Sequence, residues 1–112
     1  QAAAEAERAT VELKKVEFME RHLGETFEGR VTGVAPFGFF VTLDRYFVEG
    51  LVHVRTLEDD YYDFSIGGYA LVGSRTGRSF RLGERLEVQV VKVDKEARHI
   101  DFLALRKLAR KD

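Results

Sequence analysis

Phe37, Phe39 and Phe40 lie within four positions of one another, and His53 follows in the next apolar run. Flat rings grouped in this way can stack on the faces of unpaired bases, each stack being worth about 1–3 kcal/mol and largely indifferent to which base is taken. Stacking requires rings that face solvent, and successive residues of a strand point to opposite faces. Phe39 shares its parity with Val41 and Leu43 and is assigned to the core, whereas Phe40 shares its parity with Thr42 and Asp44 and is expected outside. Phe37 precedes that run, and Gly38 lets the backbone turn so that the Phe37 ring joins the face of Phe40. His53 points away from Val52 and Val54, onto an adjacent strand of the same wall. Parity leaves a second reading open: phenylalanine is ordinarily buried, and both rings could instead plug gaps under the long connection 55–83.

The other polar side chains offer less chemistry. Glu58, Asp59, Asp60 and Asp63 form the one dense carboxylate group, but they sit on an expected turn, without the rigid setting and further ligands that a catalytic magnesium ion needs. His22, His53 and His99 lack the spacing of a metal motif, and no serine or threonine has the surroundings of a nucleophile. No metal site and no catalytic residue is therefore assigned. The absence of cysteine excludes a disulfide framework and a thiolate zinc site. Arg55, Lys92, Arg75, Arg78 and Arg81 are candidates to follow a phosphate backbone, although each taken singly reads as well as a solvated charge.

These residues need a scaffold, and 112 residues suffice for one core plus one appended element. An apolar fraction of 45% and a charged fraction of 33% are those of an ordinary soluble domain. No apolar run approaches the ~20 residues of a spanning helix, and no secretory leader pattern is present, so a cytoplasmic protein without a membrane partner is expected. The net charge of −1 conceals a division: residues 24–74 carry 3 basic and 8 acidic side chains, residues 75–112 carry 11 and 6. A polyanion site must therefore be local, with stacking carrying part of the affinity.

Residues 3–22 contain neither Gly nor Pro and are rich in helix formers. Ala6, Ala9, Leu13, Val16, Met19 and Leu23 recur at steps of three or four, which predicts one apolar helix face, and Gly24 closes it. Such a helix either packs on the following domain or ends a preceding one. From Gly24 onward the period becomes 2. Phe27, Val31 and Ala35 oppose Glu28, Arg30 and Thr32; Phe39, Val41 and Leu43 form a second strand and Val52 with Val54 a third. Leu86, Val88 and Val90 shift phase to Val91 and Val93, the mark of a bulge at a barrel corner, and a fifth strand buries Ile100, Phe102 and Ala104. Five curved strands punctuated by glycine predict a mainly β protein, a five-stranded antiparallel OB-fold barrel with an N-terminal α-helix and an inserted β-hairpin. Within the long segment 55–83, "EDDYYDF" reads as a turn or short helix and "YALVGSRTGRSFRLG" as the hairpin, its tip near "SRTG"; Tyr61 and Tyr62 either extend the aromatic surface or pack the insert on the barrel.

The series "GRVTGVAPFGFFVTL", "EGLVHV", "LGERLEVQVVKVD" and "IDFLAL" resembles the RNA-binding S-one domain, an OB fold, over nearly all of residues 24–105. The shared pattern is Phe-Gly-x-Phe followed by Gly-Leu-Val-His, here Phe37, Gly38, Phe40 and Leu51 to His53. The resemblance implies an RNA surface of Phe37, Phe40, His53, Asp94 and a basic residue beside the last turn. "DKEARHI" is one residue longer between its Asp and Ile than in many members, so Arg98 or His99 could take that place, and Arg98 is preferred. The helix and the insert further resemble the C-terminal end of the ribonuclease R and ribonuclease II group of processive 3'-to-5' exoribonucleases, ribonuclease R in particular. This implies a fragment: residues 1–23 end the preceding catalytic domain, 24–105 are the RNA-binding domain with its insert 55–83, and 106–112 are a basic tail. It also implies single-stranded RNA and the parent's catalytic domain in cis as partners, magnesium in that domain and no cofactor in this chain. Two other classes share the pattern, an RNA-binding domain of a non-enzymatic translation or ribosome-associated protein and a protein-interaction barrel.

Overall fold

Alternating apolar and polar residues build eight strands among residues 13–57, 61–64, 70–75, 77 and 79–108, the parts of the chain described by the computed structural model. Five of them, β1 (Thr26–Ala35), β2 (Gly38–Leu43), β3 (Glu49–His53), β7 (Arg85–Asp94) and β8 (His99–Lys107), close a barrel in the order β1-β2-β3-β8-β7. All neighbours in it run antiparallel except β3 and β8, which meet in parallel with Leu51 opposite Asp101. The antiparallel expectation thus fails at the closing pair alone, because a long crossover rather than a hairpin joins those two strands. The architecture is otherwise the expected OB-type barrel.

Val31, Phe39, Val41, Val52, Val88 and Phe102 fill the interior, each at most 2% exposed. Three bulges set which residues reach it. In β1, Val31 faces Val41 and Gly33 faces Phe40, leaving Thr32 as the extra residue. Parity therefore flips, Val34 packs on the core and Ala35 turns outward, correcting the expectation that Phe27, Val31 and Ala35 share one side. In β7 the foreseen phase shift is present, but Val91 is the bulged residue itself and lies 47% exposed, while Val93 packs inward. A third bulge, in β8, turns Leu105 outward.

Helix α1 (Leu13–Glu20) buries Val16 and Met19, and Met19 joins the barrel core. Its apolar stripe is narrower than the sequence suggests: Leu13 and Leu23 are exposed, and the predicted helical residues before 13, Ala6 and Ala9 among them, lie outside the described residues. Gly24, at φ +86°, ends the turn that follows, and its N–H donates to the Val90 carbonyl at 2.8 Å. No helix among the described residues is long and apolar enough to cross a membrane.

The insert is a three-stranded sheet rather than a lone hairpin. β5 (Ala70–Gly73) and β6 (Ser79–Arg81) pair as foreseen, with Leu71 opposite Phe80 and a turn at Ser74 and Arg75. β4 (Tyr62–Phe64) then adds to β5, so part of the stretch read as a turn or short helix is a strand, its aromatic-polar-aromatic alternation suiting a place beside an apolar neighbour. Among the described residues, the helical turn of this region is a 3-10 turn that comes earlier, at Val54–Thr56. Phe80 stacks on Phe39 at 4.6 Å and 18°, and with Leu71 it belongs to the barrel core. The insert is a structural cap on the barrel.

Candidate nucleic-acid interface

The outer faces of β2, β3, β8 and β7 lie side by side and carry most of the residues singled out above. Gly38 stands opposite His53, and Phe40 opposite Leu51. A Cβ on Gly38 would sit 2.1 Å from the Val52 carbonyl oxygen, so only glycine lets β2 approach β3 this closely. Just before it, the Phe37 carbonyl accepts the N–H of Val54 at 2.8 Å, which fixes Phe37 beside His53. The half-buried Phe37 ring meets Phe40 edge to face, with centroids 6.1 Å apart and planes at 87°.

Phe40 corrects the parity reading. It lies on the outer face, yet it is 2% exposed, because Ala35, Leu51 and Phe37 pack around it. The bulge at Thr32 is the cause, since it turns Ala35 outward to join this cluster. Of the described residues of the 55–83 segment, Phe80 lies on Phe39 in the barrel core and not on Phe40. Phe40 is the floor on which Phe37 rests, and Phe37 is the ring of the pair that reaches solvent.

Next to these rings, three side chains meet at one oxygen. His53 Nε2 lies 3.2 Å and His99 Nε2 2.6 Å from Asp101 Oδ1. The carboxylate accepts, so each Nε2 that faces it carries the hydrogen. Partial burial pushes the Asp101 carboxyl up, but the hydrogen bond and charge of His99, followed by those of His53, outweigh it and hold the group below the usual carboxylate range. Asp101 escaped the sequence reading, and His99 stood there as second choice to Arg98. A signal existed: His99 and Asp101 share a parity in β8 opposed to Ile100 and Phe102. Their partner His53 lies 48 residues from Asp101, and no local spacing reveals it.

At the β7–β8 turn, Asp94 pairs with His99, and its Oδ1 accepts the N–H of Ala97 at 3.1 Å. That carboxylate shapes the turn. Arg98 is exposed in it, at φ +53°. Lys92 is exposed on β7 directly opposite Asp101. Arg55 is exposed on the 3-10 turn after His53 and lines, with Tyr61, Tyr62 and Arg75, a groove beside the insert. The structure therefore joins Phe37, His53 and Lys92 on one wall, places Arg98 in the turn beside it, and sets Arg55 toward the groove. Farther along the same face, Thr32 Oγ1 donates to Glu49 Oε2 at 3.0 Å and lies 2.9 Å from Thr42 Oγ1. Glu49 thereby places a carboxylate at that end of the face. Of the remaining candidates, Asp63 and Arg81 are exposed, while Glu58, Asp59, Asp60 and Arg78 lie outside the described residues.

Comparison with known proteins identifies the kind of domain that carries this wall. The chain is 44% identical over 106 residues to ribonuclease R of Aquifex aeolicus, which covers 95% of this chain and 15% of that protein. It is 45% identical over 100 residues to ribonuclease R of Escherichia coli, covering 89% of this chain and 12% of that one. The chain thus spans roughly an eighth of the length of these relatives. In three dimensions it is similar to Mycoplasma genitalium RNase R, solved with ribose-methylated single-stranded RNA, with a TM-score of 0.76, 24% identity, and coverage of 81% of this chain and 14% of that one. That likeness establishes the shared fold. The model of the S1 RNA binding domain matches residues 21–104, from the end of the helical segment to the last barrel strand, and the chain belongs to that family.

Proposed function

We propose that this chain holds single-stranded RNA without strong sequence preference on the outer wall of β2, β3, β8 and β7, as the RNA-gripping part of a processive 3'-to-5' exoribonuclease of the ribonuclease R type. The observation that carries the reading is the half-exposed Phe37 ring, propped edge-on by Phe40 beside His53 in a barrel of the S1 family. A base stacked on Phe37 and flanked by the His53 imidazole gains about 1–3 kcal/mol whatever its identity. Lys92 and Arg98 supply phosphate contacts on the side away from Glu49, and Arg55 extends the path toward the insert. The backbone at Arg98 supports its part: φ +53° costs a non-glycine residue about 1 kcal/mol, a cost that glycine would avoid and that a functional guanidinium explains. Asp94 serves by shaping the turn that presents Arg98. The RNA-bound Mycoplasma genitalium neighbour supports the same use of the fold.

Bond cleavage belongs to the parent's catalytic domain in cis, where magnesium would act; the residues of this chain bind and orient RNA. A cytoplasmic location fits the cysteine-free composition. The test is fluorescence anisotropy with a labelled single-stranded RNA at several salt concentrations, comparing wild type with Phe37→Ala. Three phosphate contacts predict a log–log salt slope of about −2. Equal affinity of Phe37→Ala and wild type would move the contact off this wall, and no binding by either would favour a protein partner.

A further inference from the structure

The three side chains that converge on β3 and β8 have a second capacity. His99 and Asp101 are two apart on one strand and so share its outer face, and His53 reaches them from the neighbouring strand. Their ligand atoms, two Nε2 and one carboxylate oxygen, all lie within 4.8 Å of one another. We propose that His53, His99 and Asp101 form a binding site for a divalent transition-metal ion of the zinc class.

Ligand chemistry selects the class. Magnesium and calcium take oxygen-rich shells, whereas two imidazoles and a carboxylate suit zinc and its first-row neighbours. Size agrees as well. With bonds of about 2.0–2.1 Å, ligand atoms around a tetrahedral zinc stand about 3.3 Å apart. His53 Nε2 and Asp101 Oδ1 are already 3.2 Å apart. His99 Nε2, at 2.6 Å from the same oxygen, has to withdraw by less than an ångström to admit the ion. On binding, each imidazole gives up the hydrogen that its Nε2 directs at Asp101, so that this nitrogen's lone pair faces the ion.

Rigid strands present all three groups, and the Thr56 hydroxyl, donating to the His53 carbonyl at 2.7 Å, holds the end of β3. The side chains are 15–27% exposed, enough for an ion to enter. Three protein ligands leave a fourth position open for water or a phosphate oxygen. Coordination uses the edge of the His53 ring and leaves its face for a base, so the site is compatible with RNA on the same wall and does not depend on it. Lys92, opposite Asp101, is the nearby charge that opposes a cation.

The deciding experiment is calorimetric titration of the untagged full chain with zinc chloride, in a non-chelating buffer and without RNA, alongside histidine-ring NMR. Wild type and His22→Gln should bind one ion with the same affinity, with resonances of His53 and His99 shifting together. His22→Gln is the control for the other His–carboxylate pair, His22 with Glu25 at 2.8 Å. His99→Gln and His53→Gln, each checked for folding by circular dichroism, should lose at least tenfold in affinity. Two independent ligand variants keep the test decisive if one misfolds. The proposal is overturned by the absence of saturable binding, by unchanged affinity in the ligand variants, or by loss confined to His22→Gln. Lack of RNA binding in the separate anisotropy experiment would leave the zinc result standing.

Discussion

Replacing Phe40 by alanine separates a structural ring from a contact ring. Its side chain is 2% exposed and packed by Ala35, Leu51 and Phe37. Truncating a buried phenylalanine costs about 3–5 kcal/mol. The lower end applies here, because the cluster is small and Phe37 can settle into part of the space. About 3 kcal/mol lowers the melting temperature of a domain of this size by roughly 12–24 °C, a large share of a typical total stability of about 5–15 kcal/mol. Phe37 is half-buried, and its edge-to-face pairing with Phe40 is worth about 0.5–1.5 kcal/mol, so Phe37→Ala should cost little more than that. Urea denaturation followed by circular dichroism reads both variants, and anisotropy on the folded fraction reads RNA affinity. Phe40→Ala should be the less stable protein, and Phe37→Ala should lose RNA affinity by about 5- to 150-fold while remaining folded. A Phe40→Ala protein within about 1 kcal/mol of wild type would refute the assignment of Phe40 as the floor of the wall.

Gly38→Ala places a Cβ 2.1 Å from the Val52 carbonyl and must part β2 from β3, so a loss of about 1–3 kcal/mol or more is expected in the same denaturation assay. Phe80→Ala removes the ring stacked on Phe39 and should destabilise the whole barrel by about 3–5 kcal/mol, seen as one cooperative transition at lower temperature rather than as loss of the insert alone. Asp101 titrates below the usual carboxylate range in the folded chain, so the stability it contributes is complete above that range and disappears as pH falls through the depressed folded value. Thermal melts across acid pH should therefore show a flatter acid limb for Asp101→Asn than for wild type. Arg98→Gly relieves the φ of +53° and should raise stability by up to about 1 kcal/mol while weakening RNA binding and shallowing its salt slope.

Much of this fold is legible in strand parity. The alternation around Phe39, Val52, Val88 and Ile100 marks the core because a half-buried strand has no other way to hide one face, and all four are fully buried. Phe-Gly-x-Phe is legible for an equally local reason: a close strand approach demands glycine wherever no Cβ fits. The phase shift at Val90 was readable too, whereas the flip at Thr32 was not, since no missed beat of apolar residues marks it: Val31 and Ala35 keep an even spacing although the bulge sends them to opposite sides. That flip is what buries Phe40. The hairpin of the insert is legible, but its docking is not, because the place of Phe80 depends on a barrel end that only the closed sheet creates.

By itself the sequence determined the class of barrel, the location of the aromatic hallmark and the kind of ligand that suits it, because these depend on residue types a few positions apart. Tertiary structure alone decided that Phe37 and not Phe40 offers its ring, and that Asp101 joins His53 to His99. Those outcomes depend on which strands become neighbours: β3 and β8 meet through a parallel closure far apart along the chain, and contacts made across it leave no periodic trace in the residues that make them.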